Sequence, residues 1–137
     1  LAKSLGYQVV ARALGRDGAQ GWCDHRAREI VVNSQRPANA RVRILVHELA
    51  HAHPAGQLDY EHFTREHAEV LVDTVTYVVC GQIALDVAGE SVPYVASWGE
   101  DGAVQAVHTF AETVDDVASA IEDAIAPARG PAVTASC

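Results

Sequence analysis

The chain changes period along its length. From Tyr7 to Leu14, YQVVARAL is rich in β-branched residues and runs into GRDGAQG, whose glycines and aspartate mark a turn. WCDH and REIVVN follow, joined at Arg26 and Ala27, with Ile30 and Val32 on one face of a strand and Val31 on the other. Branched Cβ atoms are stiff and suit a pleated surface, so this third of the chain predicts an antiparallel β-hairpin or meander.

The spacing then becomes helical. Asn33 or Ser34 is placed to cap a helix, and Pro37 fits its first turn. Val42, Leu45, Val46 and Leu49 form an apolar stripe, which Pro54 and Gly56 end. Beyond the loop PAGQLDYEH, a second helix is expected from about Phe63 to Leu85, with Val70, Leu71, Val75, Val78 and Val79 apolar. Its β-branched residues lower intrinsic propensity, so burial must stabilise it, and Gly81 is a weak point inside it. VPYVASW starts a short helix at Pro93. From Gly102 to Ala126, Val104, Val107, Phe110, Val114, Val117, Ile121 and Ile125 mark a last amphipathic helix. Pro127 stops it, and ARGPAVTASC reads as a frayed tail. The expected fold is α+β: a small N-terminal antiparallel hairpin or meander packed on a helical bundle. One domain covers residues 1–126 and a flexible tail covers 127–137. The chain begins at Leu1 rather than Met, which reads as a fragment of something longer.

Composition narrows the function. The 137 residues suffice for one hydrophobic core, and no apolar run approaches the about 18 residues that a membrane span requires. The net charge of -8 and the scattered basic residues disfavour phosphate-backbone binding, so no direct nucleic-acid partner is expected for this segment. Cys23, Cys80 and Cys137 are odd in number and widely spaced, which argues against a disulfide scaffold and for a reducing, cytoplasmic setting. Cys80, in an apolar helical run, is expected in the core. Oligomeric state is not legible.

The candidate chemistry lies in VHELAHAHPAG. His47-Glu48-Leu49-Ala50-His51 is HExxH, and on a helix the two histidines fall on one face about one turn apart. Two imidazoles so placed converge on one Zn²⁺, and Glu48 beside the first can serve as general base. His53, two residues after His51, points to another face and is expected on the rim. Catalytic zinc takes three protein ligands and keeps one position open. Glu69 and Asp73 lie four apart on the second helix, separated only by Val70, Leu71 and Val72. Carboxylates in an aliphatic run need a partner or a solvated edge. Glu69 is therefore read as the third ligand, Asp73 as the acceptor that orients a ligating histidine, and Glu66 as the runner-up ligand.

VHELAHAH, EVLVDTVTYVVCGQIALD and VPYVASW together resemble the ImmA/IrrE-type zinc metallopeptidases, and the variants that also resemble the C-terminal metallopeptidase domain of ArdC antirestriction proteins. The resemblance runs from Gly6 to Ala126 and includes a strand of D-x-R-x-R-x-I-x-V type, here Asp24 to Val32. Relatives carry E-x-E-A-E-S-x-A-Y-V-V on the second helix. Glu69, Asp73 and Tyr77-Val78-Val79 match it, whereas Leu71 stands where a second glutamate is common. The E-x-x-x-D that remains is gluzincin-like and keeps Glu69 as ligand.

The resemblance implies a zinc-dependent peptidase acting on a protein or peptide substrate in a regulatory, anti-restriction or repressor-cleavage role. Zn²⁺ would be held by His47, His51 and Glu69, with Glu48 as proton carrier. Tyr60, His62, His67 and Tyr77 are candidates by residue type for the oxyanion or substrate donor, and the strand Arg28 to Asn33 is expected to offer its edge to an extended peptide. The competing reading is a metal-stabilised regulatory or protein-binding module with little hydrolytic activity.

Overall fold

A computed structural model describes residues 1–57, 64–85 and 99–126. The fold is α+β. Strands β1 (Gln8–Arg12), β2 (Gly21–Asp24) and β3 (Glu29–Asn33) precede helix α1 (Ala38–Ala52), a 3-10 turn (Pro54–Gly56), α2 (Arg65–Gln82) and α3 (Gly99–Ile125). The helix expected at Pro93 and the tail lie outside the described residues.

Strand order is β1-β3-β2. β2 and β3 form the expected antiparallel hairpin, with Trp22 opposite Val31 and Cys23 opposite Ile30. β1 corrects the meander: it pairs with β3 in parallel, Gln8 opposite Glu29 through Arg12 opposite Asn33. The physical reason is burial. Ile30, Val31 and Val32 are nearly inaccessible (0%, 0% and 6% exposed), which suits a strand flanked on both edges and covered on both faces. The expected peptide-accepting edge at Arg28–Asn33 is overturned for the same reason, because both edges of β3 are taken.

The connection from β1 to β2 must therefore pass the end of β3, and Asn33 holds it there. The Asn33 side-chain amide donates to the carbonyls of Gly15 (2.8 Å) and Ala19 (3.1 Å), while its oxygen accepts from the N–H groups of Leu14 (3.3 Å) and Gln35 (3.1 Å). That use corrects the helix-capping expectation. Pro37 occupies the N-cap position of α1, with no side-chain cap bond.

α1 lies across β2 and β3, α2 packs on α1, and α3 packs chiefly on α2. One core joins Ile30 and Val32 of the sheet, Ile44, Val46 and Leu49 of α1, Val72, Val75, Val79 and Cys80 of α2, and Val117 and Ile121 of α3. Thr64 starts α2 with a capping box: His67 N–H donates to Thr64 Oγ1 (3.3 Å), and the Thr64 N–H donates to His67 Nδ1 (3.1 Å). Among the described residues, no helix is long and apolar enough to cross a membrane.

Candidate metal centre

The helical repeat stacks His47 and His51, whose ring centroids are 4.9 Å apart. α2 brings Glu69 against both: its Oε2 lies 3.7 Å from His47 Nε2 and 3.5 Å from His51 Nε2. Behind His47, Asp73 Oδ1 lies 3.1 Å from Nδ1. One donor atom from each of His47, His51 and Glu69 falls within 4.8 Å of the other two. Tetrahedral zinc with bonds of about 2.0–2.1 Å sets neighbouring donors roughly 3.3–3.4 Å apart. The two separations from Glu69, 3.7 and 3.5 Å, are close to that edge, and the two histidine donors lie within 4.8 Å of each other, so the group could hold such an ion. Asp73 on Nδ1 leaves Nε2 of His47 for the metal.

The electrostatics agree with a site that concentrates negative charge around two imidazoles. Burial opposes a charge on His47, but Asp73 and Glu69 outweigh it and hold its pKa up at about 9 without metal. His47 and then His51 hold the Glu69 carboxyl well below the usual range. Arg65 reaches Glu69 at 3.9 Å, but its side chain is 87% exposed and the contact contributes little.

Glu48 reaches toward β2. It is 7% exposed, and burial pushes its carboxyl up against the pull of His47 and His51 and of a bond from the Cys23 backbone N–H. Gly21 makes this approach feasible. A Cβ there would sit 2.5 Å from the Val31 carbonyl oxygen, 2.6 Å from Ile44 Cγ2 and 3.6 Å from Glu48 Oε1.

These groups open on a cleft of about 550 Å³, walled by Gly21, Trp22 and Cys23 on β2, by His25 in the hairpin turn, by His47, Glu48 and His51 on α1, and by Arg65 and Glu69 on α2. Asn33 N–H donates to the Gln20 carbonyl (2.8 Å). Antiparallel alternation then turns the N–H and C=O groups of Gly21 and Cys23 outward, away from β3. Among the described residues, this edge of β2 carries no strand partner.

Other expected residues fall elsewhere. His53 is half-buried and accepts from the Ala55 N–H (3.2 Å), capping the 3-10 turn. His67 sits in the α2 capping box, and Tyr77 is 49% exposed on α2; neither is among the described residues lining the cleft. Glu66 is exposed and outside the three-residue group. Leu71, where the pattern this helix resembles has a second glutamate, is fully buried in the interior and is not among the described residues lining the cleft. Tyr60 and His62 lie outside the described residues. Sequence reasoning missed Gly21 and His25 as site residues. The hairpin is the one signal that could have found them, since it returns both to the HExxH helix.

An uncharacterized protein of Bacillus anthracis is 31% identical over 104 residues, an alignment that takes in 73% of this chain. The chain spans only 17% of that relative's length. No family model matches the chain. No solved structure matches it.

Proposed function

We propose that this chain is a zinc-dependent metallopeptidase domain of ImmA/IrrE type, gluzincin-like in its ligand order, cleaving a protein or peptide substrate in the cytoplasm. The observation that carries the reading is the meeting of His47, His51 and Glu69 at 3.5–3.7 Å beside a buried Glu48. When bound, zinc supplies Lewis acidity toward a carbonyl and lowers the pKa of water. His47, His51 and Glu69 would hold it, and Asp73 at 3.1 Å would fix the His47 ring. Glu48 has the raised carboxyl pKa that suits a group taking a proton from attacking water and returning it to the leaving amine. The outward Gly21 N–H and C=O and the Cys23 C=O suit an extended peptide laid antiparallel to β2, the Cys23 N–H being held by Glu48, with Trp22 (36% exposed) beside it.

Glu48→Gln separates this reading from a non-hydrolytic binding module. The variant should keep fold and zinc and lose cleavage of a fluorescence-quenched peptide library. Equal behaviour of wild type and variant in that assay overturns the peptidase reading.

A further inference from the structure

We infer that His25 is a further catalytic residue of this cleft, donating its Nε2–H to the substrate oxygen that gains negative charge during attack, with Tyr7 as the positioning residue that sets its tautomer. The inference rests on the peptidase reading and deepens it.

The hairpin turn holds His25 where β2 ends. Asp24 Oδ1 accepts from the N–H groups of Arg26 (2.9 Å) and Ala27 (2.8 Å), closing an Asx turn. Arg28 completes the reversal at φ 56, in the left-handed region, and its guanidinium lies over the Tyr7 ring at 4.9 Å. Tyr7 is 4% exposed, and its hydroxyl is 2.7 Å from His25 Nδ1, with the two rings edge-on at 82°.

Tyr7 has two neighbours to which its hydroxyl can donate, His25 Nδ1 and the Cys23 thiol. An imidazole nitrogen accepts far better than a thiol sulfur. Cys23 Sγ lies only at 3.9 Å from Nδ1, so the phenol proton is assigned to Nδ1 and the ring keeps its own proton on Nε2. Among the described residues Nε2 has no partner, and the ring lines the same cleft as His47, His51 and Glu48. Burial, then the charges of His51 and Arg28, lower the His25 pKa, which favours the neutral ring. His25 is absent from the three-residue ligand group. A neutral N–H donor lining the same cleft as the candidate metal ligands, and outside their group, is suited to stabilise a developing oxyanion.

Ring ¹⁵N NMR of the metal-free protein reads the tautomer without any activity. Wild type should show His25 protonated on Nε2, and Tyr7→Phe should lose that preference; a wild-type Nδ1–H tautomer overturns the inference. The zinc-loaded protein is then assayed on the fastest-cleaved member of a fluorescence-quenched peptide library. His25→Ala should lower kcat about 100-fold with KM and zinc content unchanged. His25→Gln should recover part of the loss, since its amide N–H reaches the same region. An unchanged kcat in His25→Ala overturns this inference alone, and zinc loss in that variant would make His25 a ligand instead. If wild type cleaves nothing, the peptidase reading fails and the role of His25 falls with it.

Discussion

Asp73 Oδ1 lies 3.1 Å from His47 Nδ1, on the side of the ring opposite the nitrogen that faces Glu69. The pair links α2 to α1 through the candidate ligand itself, so the packing of two helices and the orientation of one imidazole are the same event.

Removing that acceptor frees the His47 ring without deleting a donor atom. Asp73→Ala should weaken zinc affinity by roughly 10–100-fold while Glu69→Ala abolishes stoichiometric zinc. Competition titration against a fluorescent chelator, with elemental analysis beside it, measures both. Undiminished zinc in Glu69→Ala would remove Glu69 from the ligand set.

Zinc and protons should compete for His47. With its pKa held up at about 9 against an ordinary 6.5, the metal-free ring is protonated at pH 7. Zinc binding should then release a proton, and apparent affinity should rise with pH up to about 9. Calorimetry in two buffers of different ionisation enthalpy reads the proton directly.

Stability of the metal-free protein follows from the same shifts. The raised His47 pKa contributes stability present below 6.5 and lost as pH rises through about 9. The depressed Glu69 pKa contributes stability present above 4.5 and lost as pH falls through its lower folded value. Thermal melts should therefore peak between those limits with respect to this pair, and Glu69→Gln should flatten the acid flank and lessen the alkaline one, which Asp73 sustains.

Gly21→Ala should push β2 away from α1, because the new Cβ meets backbone at Val31 and the core side chain Ile44. A cost of about 1–3 kcal/mol is expected in urea melts. The variant should also disturb Glu48, whose carboxylate borders the same point. Wild-type stability in Gly21→Ala would mean that the strand and helix are not this close.

Asn33→Ala should leave the carbonyls of Gly15 and Ala19 and the N–H of Leu14 without their present partner. Roughly 1–3 kcal/mol should be lost, with hydrogen exchange accelerating first in the loop from Leu14 to Gln20. Uniform exchange across the chain would contradict a local role.

Local spacing by itself determined much of this. A spacing of four from His47 to His51 places them on one helical face whatever surrounds the helix, because the α-helical repeat is set by backbone hydrogen bonding. The β-branched run Ile30-Val31-Val32 marked a strand of a hairpin, and the Glu69-to-Asp73 interval marked carboxylates that needed a partner. Only tertiary packing decided the rest. Alternation says which face a side chain takes, not which strand lies beside it, so the parallel pairing of β1 and the free edge of β2 were not legible. Spacing read Glu69 as third ligand and kept Glu66, three residues earlier on the same helix, as runner-up; the packing of α2 on α1 brings Glu69 to both imidazoles. His25 reaches the cleft because the hairpin folds back over α1 and Tyr7 holds the ring there, contacts between residues 18 positions apart in the chain.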